Sequence, residues 1–255
     1  MRIAVLADIH GNLRALEAVQ TDLIKRSPDA IVNLGDIVSG PLQAAATADR
    51  LMQQNWVHIR GNHDRQLIDR LPEEMGLSDR AAHAQLNRRH LGWLAALPPT
   101  QMLTEDVLLC HGSPADDLEY LLEQIDGDHV RGASPKQIRE KLGDVQAALV
   151  LCGHTHIPRI VSLPGGVWVV NPGSVGLPAY DDTCTELHYV ETGDPHARYA
   201  IVDWEGKAIR ADFIAVDYDW ESASKEAARA NRPDWAHALA TGYALRPSER
   251  PNTLD

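Results

Sequence analysis

A chain of 255 residues with 44% hydrophobic side chains can bury one large core, so a single domain with embellishments is expected. Its formal net charge of -12 argues against nucleic acid or an anionic membrane held by broad electrostatics, since both need clustered positive charge, but leaves room for a small anionic substrate. Three cysteines in no zinc-knuckle spacing point to free thiols in a reducing compartment, and the absence of a cleavable leader pattern or a membrane-spanning stretch makes a cytoplasmic location the expectation.

The first apolar run, Met1 to Ala7, reads as a strand that ends in Asp8-Ile9-His10. Leu13, Leu16, Ala18, Val19 and Leu23 then recur at helical spacing, and Ser27-Pro28-Asp29 closes that helix. The next strand, from Ile31, stops abruptly at Gly35-Asp36, which completes a β-α-β unit. Pro41 to Gln54 is a second helix with an apolar face, and Trp56 to Ile59 a third strand running into Arg60-Gly61-Asn62-His63-Asp64. Residues 65–99 are helical apart from a break at Leu71-Pro72 and read as an insertion over the strand ends.

Gln101 to Thr104 and Val107 to Cys110 form a hairpin whose second arm leads to His111-Gly112. Two polar helices are expected, around Asp117 to Ile125 and from Pro135 to Leu142. Ala147 to Cys152 returns to a strand and delivers Gly153-His154-Thr155-His156. Arg159 to Leu163 pairs with Val167 to Val170 across Pro164-Gly165-Gly166, and Asn171 to Gly176 is a tight loop rich in backbone donors. Residues 177–196 read as a polar inserted loop, and Tyr199 to Trp204 with Ala208 to Val216 as an antiparallel pair, so a second sheet should pack on the first. Residues 232–255, with Pro233, Pro247 and Pro251, read as a C-terminal extension whose last residues are expected to be mobile.

Five strand-like runs thus end in Asp, His or Asn. Asp8 and His10 are two residues apart, as are His154 and His156, and in extended chain such pairs project to the same side and can grip one point. By the same alternation Cys110 and Cys152 face away and are not ligands. Carboxylate, imidazole and amide oxygen without thiolate suit manganese, iron, zinc or a related divalent metal, and two such cations would make a locally positive centre in an acidic protein.

These blocks, Asp8-Ile9-His10, Gly35-Asp36, Gly61-Asn62-His63-Asp64, His111-Gly112 and Gly153-His154-Thr155-His156, resemble the calcineurin-like metallophosphoesterase superfamily over about residues 1–215. Asn171-Pro172-Gly173-Ser174 further resembles the loop of its small bacterial and archaeal phosphodiesterases. The resemblance implies an α/β fold, a four-layer αββα sandwich of two mixed sheets flanked by helices, within one domain over 1–231. It implies that Asp8, His10, Asp36 and His156 hold one metal and Asp36, Asn62, His111 and His154 the other, with Asp36 bridging. Two such ions clamp phosphate oxygens and activate water.

By the same resemblance His63 would assist the leaving oxygen, and Asp64 would orient it or cap the following helix. The Asp-Arg-Gly continuation of protein Ser/Thr phosphatases and symmetrical diadenosine-tetraphosphate hydrolases is absent, since Ile37-Val38-Ser39-Gly40-Pro41 stands there. Arg65, the helical insertion or the donors of the Asn171 to Gly176 loop would have to bind phosphate instead, and Asn12 is a further substrate-binding candidate. The expected function is metal-dependent hydrolysis of a small phosphodiester or nucleotide-like phosphate. The alternatives are a non-catalytic scaffold of the same fold, a phosphomonoesterase or protein phosphatase, or a dinucleoside polyphosphate hydrolase. The oligomeric state stays open. Arg65 to Leu97 and Leu177 to His196 are the segments expected to overhang the metals and set specificity.

Overall fold

In the computed structural model, which describes residues 1–183 and 185–249, the first sheet is built around β1 (Arg2–Leu6). Parallel neighbours β2 (Ala30–Asn33) and β3 (Val57–His58) lie on one side, and antiparallel β13 (Ala197–Trp204) and β14 (Ile209–Val216) on the other. Because side chains alternate across a strand, β1 serves two cores: Ile3 and Val5 face the second sheet, and Ala4 and Leu6 face helices. The second sheet has the order β4 (Thr100–Thr104), β5 (Val107–Cys110), β8 (Leu149–Leu151), β10 (Val167–Asn171), β9 (Arg159–Leu163). Val107, Leu109, Leu149, Leu151 and Val170 pack from it onto Ile3, Val5, Val32, Ala200 and Val202.

Helices complete the layers. α1 (Leu13–Leu23) and α2 (Ala44–Leu51) cover the outer face of the first sheet through Leu16, Val19, Ala48 and Leu51. The insertion forms α3 (Asn62–Asp69), α4 (Leu77–His83) and α5 (Arg88–Ala96), which add Leu67, Ala82 and Leu94 to that core. α6 (Pro135–Leu142) covers the second sheet with Ile138 and Leu142. The four-layer α/β sandwich is therefore present, and no helix among the described residues is long and apolar enough to cross a membrane.

Three stretches depart from the sequence expectation. No helix spans residues 117–125; β6 (Glu123–Asp126) forms there and pairs with β7 (His129–Gly132) across Gly127-Asp128. Gly127 has φ of 65°, the left-handed geometry that a two-residue Gly-Asp loop uses between strands, so a hairpin signal stands just beyond the segment that reads as polar helix. Residues 177–196 are not simply a loop, because they contain β11 (Ala179–Asp182) and β12 (His188–Glu191), and these join β7 and β6 in a third, four-stranded mixed sheet. Beyond β14 the chain forms α7 (Trp220–Arg229) and α8 (Pro233–Thr241), whose Ala223, Ala227, Trp235 and Leu239 pack with Leu42, Leu177 and Ala179. The mobile end expected of the extension and the thiol of Cys184 lie outside the described residues. Cys110 and Cys152 are buried free thiols, and burial pushes the Cys110 thiol up to about 12.

His58, at the end of β3, sits between the rings of Trp56 and Trp93, and burial holds its imidazole down to about 4. As pH falls below about 6.5 the unfolded chain takes a proton that the folded chain refuses until about pH 4, so stability present above that window is lost across it, by up to about 3 kcal/mol. The denaturation midpoint of His58→Gln should therefore depend less on pH between 7 and 4 than that of the wild type, and parallel curves would show that His58 is not the sensor.

Candidate metal centre

The residues delivered at the strand ends share an uncommon backbone. Asp8, His10, Asp36, His154 and His156 have φ of 56°, 51°, 53°, 70° and 57°, and among the described residues only Ser27 and Asn231 otherwise combine positive φ with a side chain. Each left-handed residue costs about 1 kcal/mol or more, so surrounding bonds must hold it there. β1 ends at Leu6 and β8 at Leu151, so the paired projection of Asp8 with His10 and of His154 with His156 arises in these left-handed turns and not from strand alternation.

The holding bonds are visible. Asp8 N donates to Gly35 O and His10 N to Asp36 O, at 3.0 and 2.9 Å, which laces the first two strand ends together. Gly153 N donates to His111 O at 2.7 Å, and His154 N to Asp8 Oδ2 at 3.1 Å, which joins the second sheet to the first. The Asn171 to Gly176 loop is a clamp rather than a phosphate cradle: Asn171 Nδ2 donates to Gly153 O, Val175 N to Ala7 O and Gly176 N to Asp8 O.

Two groups of side chains converge. Potential ligand atoms of Asp8, His10 and His156 lie within 4.8 Å of one another, as do those of Asp36, His111 and His154. Asp36 Oδ2 stands 3.3 Å from His111 Nε2 and 4.0 Å from His10 Nε2, between the groups, and Asn62 Oδ1 is 3.0 Å from His111 Nε2. The Nδ1 atoms of His10, His111 and His156 lie 2.9, 2.8 and 2.7 Å from the carbonyls of Ser39, Leu34 and Leu177. A ring N–H donated there leaves Nε2 with its lone pair toward the centre. His154 is reversed, with Nε2 at 3.1 Å from Leu118 O, so Nδ1 is its inward atom.

This donor set fits divalent cations. Asp8 Oδ1 is buried with no hydrogen-bond partner among the described residues, and an orphaned carboxylate oxygen is costly unless a cation meets it. Burial opposes ionisation of Asp36, yet His111 and His63 hold its carboxyl well below the usual carboxylate range. Burial also opposes a charged His111, but Asp36 and Asp8 raise it to about 10, which reports the negative charge gathered at this point. Burial, reinforced by neighbouring imidazoles, keeps His10 and His154 down at about 4, in the neutral form that ligation requires.

The other expected residues divide. His63 lines the cleft over this centre, and its Nδ1 is 2.7 Å from Asp79 Oδ1. Asp79, on α4, is 1% exposed and also accepts from Ser39 Oγ at 2.6 Å. Sequence reading does not single it out, although it shares a face of α4 with buried Ala82, where a carboxylate is conspicuous. Asp64 does not touch His63; it accepts from Gly61 N and Ile37 N, both at 3.0 Å, and so caps α3, with burial and the Asp36 charge lifting it to about 7. Asn12 is a cap as well, accepting from Ala15 N and donating to Gly176 O, and it does not line the cleft. Arg65 is engaged by Asp117 through two bonds of 2.7 Å and also lies outside the cleft lining, so neither is placed to contact substrate there. The far wall comes from Leu177 and Tyr180 and, unforeseen, from Trp235 on α8, whose ring centroid is 5.9 Å from that of His10.

A family model described as the calcineurin-like phosphoesterase superfamily domain matches residues 1–194. The crystal structure of a metallophosphoesterase from Sphaerobacter thermophilus superposes with a TM-score of 0.72 at 27% identity, covering 95% of this chain and 99% of that one. The uncharacterized protein MJ0912 of Methanocaldococcus jannaschii is 26% identical over 257 residues, covering 91% of this chain and 94% of its own length.

Gly61 lets α3 begin against the centre: a Cβ there would lie 2.2 Å from Asp36 Oδ1 and 2.6 Å from Asp36 N. Since the obstacle includes backbone, Gly61→Ala should displace Asp36, cost about 1–3 kcal/mol and lower metal content after dialysis. Equilibrium denaturation and elemental analysis check this, with unchanged values in both showing that the approach is not needed.

Proposed function

The chain belongs to the calcineurin-like phosphoesterase superfamily, and from that premise we propose that it is a binuclear metallohydrolase of a small phosphodiester or nucleotide-like phosphate. Asp8, His10, Asp36 and His156 would hold one cation, and Asp36, Asn62, His111 and His154 the other, from the manganese, iron and zinc class. Bound there, the pair supplies charge for phosphate oxygens and lowers the pKa of water. A small substrate accords with the acidic surface and the confined cleft, and a cytoplasmic setting with free, buried thiols.

The observation that carries an enzyme, rather than a scaffold of the same fold, is the His63–Asp79 pair. With Nδ1–H donated to Asp79, His63 keeps Nε2 for proton exchange in the cleft. Burial lowers its affinity for a proton, but Asp36 and Asp79 outweigh this and raise it to about 9, so it is protonated at neutral pH and able to give a proton to a leaving oxygen. Cations on Asp36 would offset part of that rise and bring the value toward the working range. A scaffold has no use for a buried carboxylate aimed at a half-exposed imidazole beside its metals.

Screening phosphomonoesters, diesters and nucleotides with the manganese-loaded protein tests the reading, and His63→Asn sharpens it. That variant should keep its metal while kcat falls by about 10²- to 10⁴-fold for alkoxide leaving groups and least for p-nitrophenolate. An equal loss for both leaving groups would remove the proton-donor role.

Asp79→Asn should act through His63. With one of its two raising charges gone, His63 loses its proton at lower pH, so the alkaline limb of kcat/KM moves toward acid. An alkaline limb unmoved by the substitution would leave Asp79 as packing alone.

A further inference from the structure

The helix that begins at the metal centre does more than present Asn62 and His63. His63 and Gln66, three residues apart, share a face of α3, Arg70 follows as the residue that caps its C-terminus in extended conformation, and all three line the cleft. The far end of this row is a cation in want of a partner. Among the described residues lining the cleft, Arg70 and Arg232 are the arginines. Arg232 is taken up by Asp234 and by Ser78, whose Oγ is 2.9 Å from its Nη1, whereas Arg70 is exposed and has no side-chain hydrogen bond or ion pair with any described residue. Asp181 and Asp182 stand on the β11 wall, so attraction for an anion is confined to the α3 side.

We infer that Arg70 is a specificity-determining residue that binds a second anionic group, a carboxylate or a phosphate, on the leaving group of the substrate, remote from the scissile phosphorus. This rests on the phosphoesterase reading above. If His63 protonates the leaving oxygen, the leaving group lies on the His63 side and extends past Gln66 toward Arg70. Leu177, Trp235 and Leu245 add apolar lining to the same cleft, which suits an uncharged spacer between the two anionic ends. The chain thereby places an arginine in its own cleft where the Asp-Arg-Gly arginine of related enzymes is missing, but farther out, where it reads the substituent instead of the reacting phosphate.

Three ethyl phosphodiesters test this: those of 4-hydroxyphenylpropionate, of its methyl ester, and of the phenethyl analogue ending in phosphate. Their phenols are matched in leaving ability, so KM reports the remote group. The wild type should show a KM about tenfold or more lower for each anionic probe than for the methyl ester. In Arg70→Gln that ratio should fall toward one, with Arg70→Lys between. Calorimetric binding of the same probes to metal-loaded His63→Asn protein, with and without Arg70→Gln, should give the same ranking with turnover slowed. A ratio equal in wild type and Arg70→Gln, with turnover intact, overturns the inference and leaves the phosphoesterase reading standing. Failure of the metal-loaded wild type to hydrolyse any of the three probes overturns both.

Discussion

Two carboxylates, Asp8 and Asp36, are removed from water almost completely and set within a shell of imidazoles. Burying charge in this way is unfavourable by several kcal/mol per group unless something of opposite sign is brought to it. Much of the architecture is arranged around that debt of charge. Carbonyls of Leu34, Ser39 and Leu177 fix three rings with Nε2 inward, backbone donors of His63 and His154 reach the two carboxylates, and left-handed residues aim the side chains at common points. The buried carboxylates and left-handed residues oppose folding and the hydrogen bonds offset part of that cost; together they preorganise a place for cations.

The parts of this arrangement that are local in sequence were legible. An apolar run followed by Asp, His or Asn reports a strand and the residue beyond it, and β1, β2, β5 and β8 each follow that pattern. Strand alternation does not account for the pairing of Asp8 with His10, which arises in left-handed turns, because φ at a chain turn is not written in hydrophobic periodicity. What stayed hidden depends on distant partners. Asp79 gains its meaning only when α4 folds back on α3, and α8 only when Trp235 reaches His10. The third sheet was obscured because β6 and β11 are short, polar and half-exposed, so neither period stands out in them.

The division of labour follows from the layers. Strand ends of the two large sheets hold what any phosphoester would meet, while the insertion, the third sheet and the C-terminal helices shape what surrounds it. Arg232 reaching Ser78 ties two of these additions to each other across some 150 residues of chain, so the wall is braced independently of the strands beneath it.

The two large sheets share the centre: Asp8, His10, Asp36 and Asn62 follow strands of the first, and His111, His154 and His156 follow strands of the second. The bond from His154 to Asp8 closes a loop of 146 residues. Contacts of such separation form only after much of the chain has been ordered. Each proposed cation position draws ligands from both sheets, so neither would be complete until the two sheets have stacked.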